Sequence, residues 1–167
     1  MEVIRNKVAE SGIQVFNLDD LIGAVVIKEI DLAAYLYGGF VLREKEFRQT
    51  LKEKDWADFG NAHVGVFCST DAIIPTWAYM LVAAQLEQIS ASISFAKSPE
   101  IRNRVYQDAL RKFDWSIYSD RIVVIKGCGT GAVPTSAYVE ATTQLQRVAR
   151  KIMFGEPCSS VPVWRKK

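Results

Sequence analysis

The feature that most constrains the fold is an internal repeat. When the chain is shifted by 59 residues, positions 42–95 align with positions 101–154 without a gap, and 13 of the 54 pairs are identical, against about 3 expected by chance. Two copies are too few for a solenoid, so the repeat predicts a globular fold built from a tandem duplication. The identical pairs are Arg43/Arg102, Leu51/Leu110, Asp55/Asp114, Trp56/Trp115, Val64/Val123, Pro75/Pro134, Thr76/Thr135, Ala78/Ala137, Tyr79/Tyr138, Gln85/Gln144, Leu86/Leu145, Ile93/Ile152 and Phe95/Phe154.

Each copy has the pattern of an α-β-α-β unit. In the first copy, apolar residues recur at helical spacing over residues 43–54, and the β-branched run at 64–67 favours a strand. Pro75 suits the first turn of a second helix, and residues 92–95 end the copy as a short strand. The second copy repeats this order. Four aromatic residues shared by the copies are expected in equivalent, largely buried positions: Trp56, Trp115, Tyr79 and Tyr138.

Residues 1–41, ahead of the first copy, have a less regular pattern. They predict a helix near residues 3–10, strands at 13–16 and 24–29, and a further short strand at 40–42. We expect these elements to extend an edge of the sheet that the two copies form.

Strands that alternate with helices of this length predict an α/β fold, with a mostly parallel sheet and helices on both faces. The chain contains no linker and no low-complexity segment. We therefore expect a single domain over residues 1–167.

The charge and hydropathy of the chain exclude several classes of function. Its formal net charge is +2, and the last three residues, Arg165, Lys166 and Lys167, supply +3, whereas nucleic-acid-binding proteins are basic across a whole face. The N-terminus lacks the apolar segment of a signal peptide, and the longest nearly uncharged run, residues 72–86, is too short to span a bilayer. We expect no nucleic acid or membrane as partner, and a reducing, cytoplasmic location in which cysteines stay thiols or metal ligands.

The sharpest functional signal is the placement of three cysteines. Cys68 directly follows one predicted strand, Cys128 lies two residues past another, and Cys158 lies four residues past a third. Because the carboxyl ends of parallel strands share one edge, we expect at least two of these thiols to converge there. Such a group could hold a metal ion or an iron–sulfur cluster, or relay sulfur. The alternative is that the cysteines pack as small apolar residues.

A glycine-rich loop surrounds the second cysteine and precedes the helix that Pro134 opens. Its glycines allow successive N–H groups to point at one centre, which could hold an anion or favour a thiolate. The alternative is that the glycines only form a tight turn. The candidate ligand-binding residues of this loop are Lys126, Gly127, Cys128, Gly129 and Thr130.

The loop after the first predicted strand, residues 68–72, is polar. Asp71 could bind a metal ion or cap the following helix. Thr76 and Thr135 follow the two prolines and could contact a ligand or bond to the backbone. The one histidine, His63, begins its strand and should lie at the edge opposite the cysteines, so we expect no Cys-His catalytic pair.

Three segments resemble an uncharacterised bacterial family, domain of unknown function 2480. They are CSTDAIIPTWAYMLVA, KGCGTGAVPTSAYVE and IMFGEPCSSVPV, and the resemblance covers nearly the whole chain. It implies no activity and no catalytic residue. Members of the family are often encoded among iron–sulfur cluster assembly genes, so the resemblance implies iron–sulfur assembly proteins as partners.

Our first hypothesis is therefore a cytoplasmic accessory protein for thiol, sulfur or metal handling, linked to iron–sulfur cluster assembly. The alternative is a non-catalytic scaffold module that binds an anion or a partner. A third hypothesis is a transferase with a cysteine nucleophile, so enzymatic and non-enzymatic functions both stay open.

Overall fold

The computed structural model describes residues 12–127 and 133–167. Within these ranges the chain forms four α-helices, seven strands and several short 3-10 turns. The elements in chain order are β1 (Ile13–Asn17), β2 (Ile27–Asp31), α1 (Glu44–Glu53), β3 (His63–Phe67), α2 (Thr76–Leu86), β4 (Ser92–Ser94), α3 (Ser98–Lys112), β5 (Ile122–Lys126), α4 (Thr135–Leu145), β6 (Lys151–Glu156) and β7 (Ser159–Arg165).

These elements divide into two compact units. The inserted unit is Ala24–Arg102, and the terminal unit consists of Met1–Gly23 and Asn103–Lys167, so the boundary falls within α3. Each unit has its own sheet, and all neighbouring strands are parallel except β6 and β7. The mixed α/β class and the mostly parallel pairing are thus confirmed, whereas the expectation of one sheet is wrong.

The inserted unit contains the three-stranded sheet β2-β3-β4. Phe47 and Leu51 of α1 are buried at i and i+4, as the sequence pattern predicts. The buried face of α2 and the strand residues Val64 and Val66 complete one apolar cluster with them. This face of α2 consists of Ala78, Val82 and Leu86.

The terminal unit contains the four-stranded sheet β1-β5-β6-β7. In the core of this unit, Val123 and Ile125 of β5 pack with Ala137, Ala141 and Leu145 of α4. The antiparallel strand β7 was not predicted, because its sequence SSVPVWR alternates weakly and contains a proline. A two-residue turn, Pro157 and Cys158, connects it to β6.

Several local predictions can be compared with the structure directly. The strands predicted in the N-terminal region are confirmed as β1 and β2, at the edges of two different sheets. The strand predicted at 40–42 is wrong. Gly38 and Gly39 adopt positive φ, so the chain turns back and the Tyr37 N–H donates to the Val41 carbonyl at 2.8 Å. The helix predicted at 3–10 lies outside the described residues.

The aromatic residues shared by the copies differ in burial. Trp56 is buried, whereas Trp115, Tyr79 and Tyr138 are half-buried. Both indoles nevertheless make the same bond, because each N–H donates to the carbonyl of the residue five positions earlier at 3.0 Å. No helix in residues 12–127 and 133–167 is long and apolar enough to cross a membrane.

Candidate functional site

The terminal unit contains a groove between α4 and the β5-β6-β7 part of the sheet, which we call the α4 groove. Its volume is about 730 Å³, within the range of small-molecule sites. None of the described residues that line it is charged. The apolar wall consists of Ile125, Val133, Val139, Phe154 and Val163.

The groove lies beside the contact between α4 and β5. The small residues Ala137 and Ala141 bring α4 close to the sheet, where they share a cluster with Ile125 of β5. Farther out, the walls remain open to solvent. Phe154 of β6 is 40% exposed and Val163 of β7 is 50% exposed.

Tyr138 determines the shape of one end of the groove. Its hydroxyl donates to the Gly127 carbonyl, and its ring meets the ring of Phe154 edge-on, with centroids 5.7 Å apart. A Cβ atom at residue 127 would lie 2.9 Å from the Tyr138 hydroxyl oxygen and 3.0 Å from the Leu18 Cβ. These close contacts and the φ of +154° at residue 127 both favour glycine at this position.

The polar groups along α4 face the groove mainly as acceptors. The Thr142 and Thr143 hydroxyls donate to the carbonyls one turn earlier, at 2.7 and 3.0 Å. Toward a ligand, these hydroxyl oxygens can therefore only accept a hydrogen bond. Thr135, predicted as a ligand contact, lines the groove at the first turn of α4. Gln146 lines the opposite end of the helix and adds an amide that can donate and accept.

Lys126 lies at the carboxyl end of β5, as predicted, but outside the lining of the α4 groove. Its ammonium group is 3.0 Å from both carboxylate oxygens of Glu156. The positive charge of Lys126, which was predicted to help bind an anion, is therefore paired with the Glu156 carboxylate.

Cys68 follows β3 in the inserted unit and is half-buried. Its sulfur lies 3.3 Å from the Thr70 hydroxyl oxygen. The loop is held to β2, since the Ser69 N–H donates to the Asp31 carboxylate at 3.0 Å. Burial alone would raise the pKa of Asp31, but hydrogen bonds from Ser69 and Ala33 outweigh it and hold this pKa below its usual value.

Tyr79 faces the same loop. Burial is the main reason that its pKa is raised, and the neighbouring Cys68 and Asp31 add negative charge that raises it further. The Tyr79 phenol therefore stays protonated beside this thiol. The other predicted loop residues are more peripheral: Asp71 and Thr76 are both exposed. No side chain caps α2, so the structure does not place Asp71 as its cap.

The three cysteines cannot be assigned to one edge of one sheet. Cys68 follows a strand of the inserted unit, whereas the exposed Cys158 lies in the β6-β7 turn of the terminal unit. Cys128, Gly129 and Thr130 lie outside the described residues. In the described parts of the chain, no three His, Cys, Asp or Glu side chains form a group suited to a metal ion. The predicted metal site at Cys68, Cys128 and Cys158 therefore stays a prediction.

His63 lies at the opposite end of β3 from Cys68, as expected. One of its ring nitrogens, Nδ1, is 2.8 Å from the Ser92 hydroxyl oxygen. The main feature that sequence reasoning missed is the α4 groove, whose wall needs β7. The available signal for that hairpin was weak: the turn-forming pair Pro157-Cys158, followed by a short run that contains Val161, Val163 and Trp164.

Comparison with known proteins gives one match. A family model described as "Protein of unknown function (DUF2480)" matches residues 2–166. No curated protein and no solved structure matches the chain.

Proposed function

The chain belongs to the DUF2480 family, which is described as having unknown function. We therefore propose a function from the α4 groove: the protein is a non-catalytic binding module that holds an uncharged, largely apolar ligand. The observation that carries this proposal is the α4 groove, about 730 Å³ in volume and without a charged residue in its described lining.

The chemistry of the wall supports this class of ligand. A charged ligand group would lose hydration in the groove without gaining an ionic partner, which is costly. An apolar group would instead remove the exposed parts of Phe154 and Val163 from water, at roughly 25 cal/mol per Å². The Thr135 hydroxyl and the Gln146 amide lie at the two ends of the helix and can orient a polar group of the ligand.

Binding of the uncharged dye Nile red tests this function. We expect saturable fluorescence enhancement, and Val139→Asp should weaken the apparent affinity at least tenfold because it places a charge on the wall. Val139 is 64% exposed, so the variant should fold. Ile73→Asp is the matched control, since Ile73 is 93% exposed in the inserted unit. Equal affinity of Val139→Asp and the unmodified protein would refute the proposal.

A second candidate function is thiol or sulfur handling by a cytoplasmic, bacterial accessory protein of iron–sulfur assembly. The observation that favours it is Cys68, a half-buried thiol beside the Thr70 hydroxyl at the carboxyl end of β3. Freshly purified protein should then carry persulfide sulfur, zinc or iron. Cys68→Ser or Cys128→Ser should lower this content, while Cys158→Ser tests the exposed turn. Protein without bound sulfur or metal would contradict this candidate.

We also propose that the two copies, residues 42–95 and 101–154, arose by tandem duplication. Support comes from helices that begin after equivalent prolines and from the matching indole bonds of Trp56 and Trp115. Replacing the α2 sequence with that of α4 should then leave the fold intact by circular dichroism. Replacing it with the α3 sequence should not. Equal loss of structure in both chimaeras would count against a duplication.

The proposed arrangement includes helices on both faces of the inserted sheet. Side chains alternate along β3, so a side chain at position 65 would point away from the face on which Val64 and Val66 meet α1 and α2. On the Gly65 side, a Cβ would lie 2.7 Å from the Ile101 Cδ1 of α3. This approach supports a helix on the second face.

A further inference from the structure

A second cavity of the terminal unit lies at the carboxyl ends of β1 and β5, and we call it the β1 cleft. Its volume is about 500 Å³. Asn17 and Lys126, the last pair in the register of these parallel strands, both line it. In open parallel sheets, ligands bind outside the carboxyl ends of the strands. The β1 cleft therefore occupies the position where this architecture most often holds a small molecule.

One wall of the cleft is aromatic. Phe113 and Tyr118 line it with their rings nearly parallel, at 13° and with centroids 6.1 Å apart. The Phe113 ring also meets Phe16 edge-on at 5.1 Å. Because these rings support one another, the wall is preformed. Tyr118 is buried, so the half-buried Phe113 ring is the part of this wall that a flat apolar group or a cation can contact.

The rim of the cleft carries more negative than positive charge. Lys126 forms an ion pair with Glu156, with its ammonium nitrogen 3.0 Å from each carboxylate oxygen. The carboxylate of Asp20 accepts only a neutral partner, the Asn17 side-chain amide, at 2.7 Å. Among the described residues, Asp20 makes no ion pair. Two carboxylates against one ammonium leave the cleft with a net charge of −1, which favours a cationic ligand group.

In the inserted unit, the start of α3 lies against the first strand of the sheet. There the Ser98 N–H and hydroxyl both donate at 2.6 Å to the carboxylate of Glu29, the middle residue of β2. These hydrogen bonds lower the pKa of Glu29. After β6 the chain instead turns back as β7, and no helix start follows. In the terminal unit, the carboxylates of Asp20 and Glu156 both line the β1 cleft.

We propose that the β1 cleft binds a small ammonium compound with an aromatic or aliphatic body. The ammonium group lies at Asp20, where it replaces the missing ionic partner. The apolar body lies against the half-buried Phe113 ring, behind which Tyr118 packs. This site is separate from the α4 groove, and the two share no lining residue.

Three phenyl compounds of similar size test the charge preference by isothermal titration calorimetry: 2-phenylethylammonium, uncharged 2-phenylethanol and anionic phenylacetate. We expect the ammonium compound to bind at least fivefold more tightly than the alcohol, and phenylacetate to bind most weakly. Raising the salt concentration should reduce the difference, because Asp20 is exposed. Equal affinities for the ammonium compound and the alcohol, or tighter binding of phenylacetate, would overturn the proposal.

The variant Asp20→Asn tests whether the preference for the ammonium compound arises in the β1 cleft. The substitution preserves shape and the bond from Asn17, so the fold should be unaffected, and it should remove the advantage of the ammonium compound. Asp58→Asn is the matched control, since Asp58 is likewise exposed but lies in the inserted unit. Val139→Asp, which tests the α4 groove, should leave this binding unchanged. An Asp20→Asn variant that keeps the preference for the ammonium compound would also overturn the proposal.

Discussion

Gly65→Ala should destabilise the inserted unit because there is no room for one methyl group. A Cβ at this position would collide with the Ala96 carbonyl oxygen and lie 2.7 Å from the Ile101 Cδ1. The carbonyl belongs to the backbone and cannot rotate away. Overpacking of this kind costs about 1–3 kcal/mol, and the rigid neighbour favours the upper part of that range.

Two opposing contributions determine how much stability Gly65→Ala should lose. Replacing glycine by alanine in a strand gains about 0.5–1 kcal/mol, because the unfolded chain loses freedom. The net loss should therefore be about 2 kcal/mol, which corresponds to a fall in Tm of roughly 4–8 °C for a chain of this size. Urea unfolding followed by circular dichroism and by tryptophan fluorescence measures the loss, and the two probes reveal whether the two units unfold separately.

A double variant separates the two contacts. Ile101→Val removes the Cδ1 and should by itself cost about 0.5–1.5 kcal/mol. Gly65→Ala with Ile101→Val should lose less than the sum of the two single losses, because one of the two collisions has been removed. Additive losses would mean that the Ile101 contact does not limit residue 65. A neutral or stabilising Gly65→Ala would refute the close approach of α3 to β3.

Three further predictions concern charge, burial and thiol access. The pKa of Glu29 is lowered on folding by its bonds from the start of α3, so it stabilises the protein at neutral pH. This contribution should be lost as the pH falls below about 4, and Glu29→Gln should flatten the acid limb of stability against pH. Trp56→Ala should cost about 3–5 kcal/mol because the indole is buried, and Trp115→Ala clearly less because its indole is half-buried; equal losses in urea unfolding would contradict this. A maleimide should label Cys158, which is exposed, faster than the half-buried Cys68, as peptide mass spectrometry can show; faster labelling of Cys68 would indicate an activated thiol.

The candidate sites were predicted in part. The position of Lys126 at a strand end and the presence of Thr135 at the first turn of α4 follow from local patterns. The α4 groove does not, since it depends on how far β6 and β7 extend beyond one helix. The β1 cleft does not either. It requires β1 to lie beside β5, although most of the chain separates these two strands.

The sequence by itself determined most of the helices and strands and their order, with β7 as the element that it missed. Apolar spacing identified α1 through Phe47 and Leu51, proline identified the starts of α2 and α4, and β-branched runs identified β3 and β5. These signals succeed because helix and strand periodicity and the φ restriction of proline act over a few neighbouring residues.

Only the tertiary structure decided which strands share a sheet. β1 pairs with β5 and β2 with β3, so one predicted sheet became two, and Cys68 and Cys158 ended in different units. Burial and hydrogen bonds between segments far apart in the chain determine which strands pair. A local sequence pattern therefore does not predict the pairing. Both the α4 groove and the β1 cleft lie on the four-stranded sheet of the terminal unit, at its face and at the carboxyl ends of its strands.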